Sequence, residues 1–431
     1  MSKQFRPLLA FLILAIAALA CDVQIPPVSL PGSTPVQNTV APPASPDPNA
    51  VGTAVAMTLT AAVPGGDNPT AAVTTSPAPD ESDETTGVLP HSLCFLAPDN
   101  DGINQVFRLN TDGTTQQQLT SETSNVGDYD VSLADGAIVY VANNQLLYAN
   151  ADGSERRVLV DGGVVDENNP FISTVSSPVF SLDGQTVAYG YKGLQFYSFS
   201  SGESQLVIEN LIDDTGGGLF VPRELYSPER YSPDGTKLLI TLGYYEGASS
   251  AIYYPVTNAL VRLTGGEGAL ICCEDVEWAA DSSSFYSASA NAGMFSPGLW
   301  RVDAATGEVT TLITGDAGSG NFNAAKEAYL ASDDQLYFFF GTVSSPEGMF
   351  NRAPLQPVRA SADGETGRTV LSSEDFQLLN EALWAPDASF VVVAMAPAQE
   401  VYQGGQAEIV YFDGAPRVGL APFAQQMKWG P

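Results

Sequence analysis

The chain has 431 residues, 44% of them hydrophobic, which excludes a wholly disordered chain and leaves room for one large domain or two ordinary ones. Its 49 acidic residues against 17 basic ones give a formal net charge of −32. That charge repels phosphate backbones and anionic lipid headgroups, so nucleic acid is excluded as a partner and the bland reading is a solubilising acidic surface.

Residues 1–20 carry Lys3 and Arg6 and then thirteen apolar residues from Leu8 to Ala20. That run is too short to span a bilayer as a mature helix and reads as an export signal. It ends in Ala18-Leu19-Ala20-Cys21, and small residues directly before a cysteine resemble the lipobox of bacterial lipoproteins. The resemblance implies acylation of Cys21 and a lipid anchor at the extracytoplasmic face of the cell membrane. It departs from the usual pattern in having Ala18 where leucine is common, and the same residues suit ordinary signal-peptide cleavage. Removing residues 1–20 takes the net charge from −32 to −34.

Residues 21–88 are rich in Pro, Thr, Ala and Ser, with no Lys or Arg between Arg6 and Arg108. Such a segment cannot bury a core and is predicted to be a disordered tether. The stretch NAVGTAVAMTLTAAV, residues 49–63, lacks a clean apolar stripe and predicts at most a transient helix.

From residue 89 to 431 the texture becomes short alternating apolar runs cut by Gly, Asp and Asn, the pattern of antiparallel strands. YSPDGTKLLI at 231–240 recurs as FSLDGQTVAY from Phe180 and in worn form elsewhere. Its lead residues fall at Val131, Phe180, Tyr231, Trp278, Tyr329, Trp384 and Trp429, spaced 49, 51, 47, 51, 55 and 45 residues apart. A period near 50 means radial or linear repetition.

Each unit predicts four strands. A first strand enters an Asp-Gly turn, such as Asp183-Gly184 or Asp234-Gly235, read as a type I′ hairpin. The third strand carries an aliphatic-aromatic pair, as in Val106-Phe107, Leu147-Tyr148, Ile252-Tyr253, Leu299-Trp300, Met349-Phe350 and Val410-Tyr411, with Phe196-Tyr197 as the variant. Alternate residues face opposite sides of a strand, so each pair can serve both neighbouring sheets. Four-stranded units repeated about a centre are propeller blades. LCFLAP opens the domain as a second strand and MKWGP closes it as a first strand, so the C-terminal strand is predicted to complete the first blade of seven.

SPDGTKLLI and LDGQTVAYG, with a third-strand aromatic and a terminal LVRLT, resemble the TolB-type, or WD40-like, propeller repeat over nearly all of residues 89–431. The resemblance is weakest in the sixth blade, where the 55-residue spacing predicts an insertion near residues 351–361. It implies an all-β propeller that binds other envelope proteins. TolB itself carries an α/β domain before a six-bladed ring, whereas here a tether precedes seven blades.

No constellation predicts catalysis. The one histidine, His91, lies at the tether junction without a G-x-S-x-G elbow, and reads as a surface residue. Asp99-Asn100-Asp101-Gly102 with Asn104 faintly resembles a calcium loop, yet no glutamate stands at its twelfth position and a hairpin turn is the simpler reading. SLDGQT from Ser181 lacks the full sialidase Asp-box. With Cys21 acylated, Cys94, Cys272 and Cys273 form an odd set. Cys94 is several blades from the other two, so the choice is between free thiols, which are favoured, and a vicinal disulfide.

The sequence thus predicts a lipid-anchored, monomeric, non-enzymatic propeller without cofactor or resident metal. It would bind an envelope protein or glycan. The alternatives are a carboxylate-based glycan-processing enzyme and a calcium-dependent adhesion module. The long segments at 211–230, 244–250 and 341–350 are the candidate binding loops.

Overall fold

In the computed structural model of the chain, the described residues are 87–218, 220–265, 275–290, 297–344 and 352–431. They all fall in the unit Glu81–Pro431. The export signal, Cys21, the tether up to residue 86, and Cys272 and Cys273 lie outside the described residues.

The domain is a seven-bladed β-propeller. From the channel outward, blade 2 is Val126–Val131, Ile138–Ala142, Gln145–Ala149 and Arg157–Asp161, and blade 3 is Ser176–Phe180, Thr186–Gly190, Gly193–Ser198 and Glu203–Glu209. Blade 4 is Phe220–Tyr231, Leu238–Tyr244, Gly247–Tyr254 and Ala259–Arg262, and blade 5 is Asp275–Trp278, Ser284–Ser289, Gly298–Asp303 and Val309–Thr314. Blade 6 is Asn321–Leu330, Gln335–Val343, Gln356–Ser361 and Thr369–Val370. Blade 7 begins with Leu379–Trp384, Phe390–Met395 and Gly405–Tyr411.

The ring closes through one strand, Val418–Trp429, which belongs to two blades. Its first part is the outermost strand of blade 7, pairing Val418 with Ile409 and Ala424 with Gly405. Its last part is the innermost strand of blade 1, pairing Gln425 with Leu96 and Trp429 with Leu93. Asn104–Leu109 and Gln116–Gln118 complete blade 1. No blade edge is left open at the seam, as the sequence predicts.

Among the described residues, seven apolar clusters form the core, one between each pair of neighbouring blades. The third-strand pairs divide between them as period-two alternation requires. Val106 packs toward blade 2 and Phe107 toward blade 7, while Ile252 packs toward blade 5 and Tyr253 toward blade 3.

The Asp-Gly turns differ from the predicted type. Gly184 has φ 67° and Gly235 φ 68°, whereas neither aspartate has a positive φ, which a type I′ turn would require. Instead Gly184 N–H donates to Ser181 O at 2.8 Å, and Asp183 Oδ1 accepts from Ser181 Oγ and Gln185 N. These bonds, led by that of Ser181, lower the Asp183 pKa. The S-x-D-G phrase is therefore a side-chain-locked turn in which only glycine is left-handed.

Blade 6 also departs from the prediction. Its third strand is Gln356–Ser361, inside the expected insertion, and Met349-Phe350 lies outside the described residues. The extra length therefore falls between the second and third strands. Its third strand, QPVRAS, lacks the aromatic that marks this strand in the other blades.

Candidate functional site

Blade topology puts the Asp-Gly turns on one face of the ring. The second-to-third-strand turns and the crossovers between blades lie on the other. The predicted loops at 211–230 and 244–250 belong to that second face, but both are largely strand; of 341–350 only 341–344 are described, and 341–343 end the second strand of blade 6. Residues 211–230 form the hairpin Leu211–Asp214 with Phe220–Tyr231, and 244–250 form the tight tip between Leu238–Tyr244 and Gly247–Tyr254. Pro222 and Pro228 suggest a loop, yet both sit in the strand Phe220–Tyr231, Pro222 opposite Ile212 in the projecting hairpin and Pro228 at the bulge before Arg230, where a ladder N–H can be missing. Glu224, buried in this strand, takes a two-point ion pair from Arg262, with nitrogen-oxygen distances of 2.9 and 2.6 Å. At the tip, Tyr245 is 68% exposed. A second hairpin, Asp316–Gly318 with Asn321–Leu330, lengthens blade 6 on the same face.

The innermost strands are bulged where they face the channel. Register shifts occur between Val126 and Asp128, Ser176 and Val179, Pro228 and Arg230, Lys326 and Tyr329, and Leu379 and Glu381. Bulges re-aim side chains. Here they accompany a set of channel carboxylates: Asp128, Asp130, Glu229, Glu277, Glu327 and Glu381.

Most of these acids join blades. An innermost strand is a sheet edge whose channel-side N–H groups lack a strand partner, and a carboxylate from the preceding blade accepts them. Asp130 takes Phe180 N–H at 2.8 Å, Glu327 takes Ala382 N–H at 2.9 Å, and Glu381 takes Met427 N–H. Asp128 accepts from Ser177 N–H, although burial still raises its pKa against the pull of Lys428. Between blades 4 and 5, Arg230 pairs with Glu277, which raises the arginine pKa.

Glu229 is different. Thr241 Oγ donates to it, but it has no ion-pair partner among the described residues, and burial pushes its pKa up to about 7 against the opposing charge of Arg230. It lines two cavities of about 570 and 580 Å³ that share the middle of the channel. The first lies at the level of the bulges. The second reaches the Asp-Gly face, where Leu133 and Leu182 rim it.

The sequence singles out none of these channel acids. Their trace is an acid within three residues ahead of the lead residue in blades 2, 4, 5, 6 and 7, blurred because the bulges shift the spacing. Of the residues singled out there, Asp99 forms a turn, accepting from Asp101 N and Ile103 N, and these bonds, Ile103 foremost, lower its pKa. Among the described residues no group of three or more potential ligands is placed to hold a metal. His91 is half-buried, and Cys94 is a buried free thiol whose pKa burial raises. No described helix is long and apolar enough to cross a membrane.

No protein-family model matches the chain. No curated protein sequence matches it either. Among solved structures, it is similar to TolB from Acinetobacter baumannii at 17% identity, covering 79% of this chain and 82% of that one with a TM-score of 0.40. It is also similar to a TolB-type protein of Agrobacterium tumefaciens, at 16% identity over 72% and 99% of the two chains with a TM-score of 0.41. An oligogalacturonate lyase in complex with manganese shares 10% identity over 76% and 84%, with a TM-score of 0.48.

Proposed function

We propose that this protein is an exported, lipid-anchored propeller that binds a protein or glycan at the extracytoplasmic face of the cell membrane and catalyses nothing. The carrying observation is the asymmetry of its two faces. One face bears tight side-chain-locked turns, whereas the other bears the projecting strands of blade 4, held by the Glu224–Arg262 pair and ending at exposed Tyr245. A rigid, projecting hairpin offers a recognition surface at low ordering cost. The channel carboxylates favour a non-catalytic reading, because those of blades 2, 6 and 7 accept backbone N–H groups that would otherwise lack a partner.

The test is photocrosslinking in intact cells, with a photoreactive residue at Tyr245 and, as control, at Asp112 on the opposite face. A discrete adduct from position 245 that is missing from position 112 is the expected result. Equal labelling from both positions, or none from 245, overturns the reading. A glycan-processing enzyme is the second reading, favoured by Glu229 alone, since a carboxyl titrating near neutrality suits a general acid. Release of reducing sugar from envelope glycans, lost in Glu229→Gln, would decide for it.

A further inference from the structure

The cavity at the Asp-Gly face is a different surface from the projecting hairpins and has its own chemistry. Its walls are aromatic: Phe180, Tyr231, Trp278 and Trp429 line it, below the rim of Leu133 and Leu182. Its charged groups are three carboxylates and two cations. Lys428 Nζ lies 2.9 Å from Asp130 Oδ1, and Arg230 pairs with Glu277, which leaves Glu229 as the one of the three carboxylates in no ion pair among the described residues.

A second, independent observation comes from the wall. Trp384 Nε1–H donates to Glu327 O at 2.7 Å, and Trp429 Nε1–H to Trp384 O at 2.9 Å, each reaching the preceding blade. Trp278 holds the corresponding position in blade 5. It is 3% exposed and lines this cavity, yet its Nε1–H has no acceptor among the described residues. A buried donor left unpaired costs free energy that a bound acceptor can recover.

We infer that this cavity binds a small organic ammonium ion carrying an oxygen acceptor. The cation would face Glu229, its apolar body would lie against the aromatic walls, and its oxygen would take the Trp278 N–H. Aromatic faces attract organic cations through their quadrupole, and a single uncompensated carboxylate matches a single positive charge. A bare metal ion fits less well. It would leave the aromatic walls and the indole donor without partners, and it requires several oxygen ligands at once.

The probe is choline, titrated against the full-length protein while tryptophan fluorescence is followed, with its uncharged carbon isostere dimethylbutanol alongside. Saturable quenching by choline is expected, with the isostere weaker by about tenfold or more. Glu229→Gln should weaken choline by a similar factor, whereas exposed Glu203→Gln should leave it unchanged. Because Glu229→Gln removes a poorly solvated charge, the variant should fold, and its melting curve verifies this. Equal binding of choline and the isostere, unchanged affinity in Glu229→Gln, or no saturable quenching overturns the inference. Flotation of the Cys21→Ser chain with phosphatidylcholine vesicles identifies the source. Flotation that free choline competes away assigns the site to a lipid headgroup, and fluorescence binding without flotation assigns it to a free solute.

Discussion

Lys428 reaches from the end of the closing strand to Asp130 in blade 2, with Nζ 2.9 Å from Oδ1 and 2.7 Å from Tyr129 O. The two residues are 298 positions apart, and the side chains are 31% and 16% exposed. Lys428→Met leaves Asp130 and a backbone carbonyl facing the channel without their cation, which should cost about 2 kcal/mol. Urea unfolding checks this, with Asp130→Asn as the partner variant. If the pair acts as a unit, the double variant should be less destabilised than the sum of the singles.

Deleting residues 425–431 removes the inner strand of blade 1 together with Met427 and Trp429, which pack between blades 7 and 1. Losing the large aromatic alone costs about 3 kcal/mol or more. The truncated chain should melt earlier or aggregate through the freed edge of Leu93–Pro98. Unchanged melting and solubility would refute closure of the ring by this strand.

Stability should fall with rising pH because of Glu229. Its folded pKa, about 7, stands above the ordinary 4.5, so the folded state holds this proton where the unfolded state has lost it. That contribution is favourable at low pH and disappears as pH rises from 4.5 through about 7. Glu229→Gln should therefore raise Tm at about pH 8 and leave it unchanged at about pH 5. A pH-independent effect would assign the change to packing.

Gly235→Ala forces a left-handed φ of 68° on a residue with a Cβ and sets that atom 3.2 Å from Leu182 Cδ1. The cost should be about 1 kcal/mol or more. Gly419→Ala is the control, because its Cβ would meet nothing within 4 Å and its backbone needs no positive φ. Thermal melts of both variants test the turn.

Cys21→Ser should move the protein from the membrane fraction to the soluble exported fraction, since it removes the proposed acylation site. Fractionation followed by blotting reads this directly. Retention in the membrane would place the anchor elsewhere.

The blade count and the seam were legible in the sequence because they depend on what repeats. Lead residues, glycine turns and alternating strands recur at a near-constant spacing, and each phrase carries its own local hydrogen bonds. The channel was much less legible. A carboxylate such as Glu381 serves the Met427 N–H of the next blade, a partner 46 residues away, and nothing local to Glu381 announces that bond. The blade 4 hairpin is obscured for a related reason: Pro222, Pro228 and the glycines at 216–218 usually punctuate loops, and only the short hairpin partner of Pro222 and the bulge at Pro228 accommodate the prolines. Only the third strand of blade 6 escapes the repeat, because it has no aromatic residue to mark it.

The strand Val418–Trp429 also bears on how the molecule is made. Blade 1 strands up to Gln118 are synthesised early, but their innermost partner at 425–429 emerges more than 300 residues later. At usual translation rates that interval is roughly 15–60 s. Throughout it, Leu93–Pro98 presents an unsatisfied edge to the nascent chain. The ring therefore cannot close until the last residues of this strand are available, and the edge of Leu93–Pro98 stays unpaired until then.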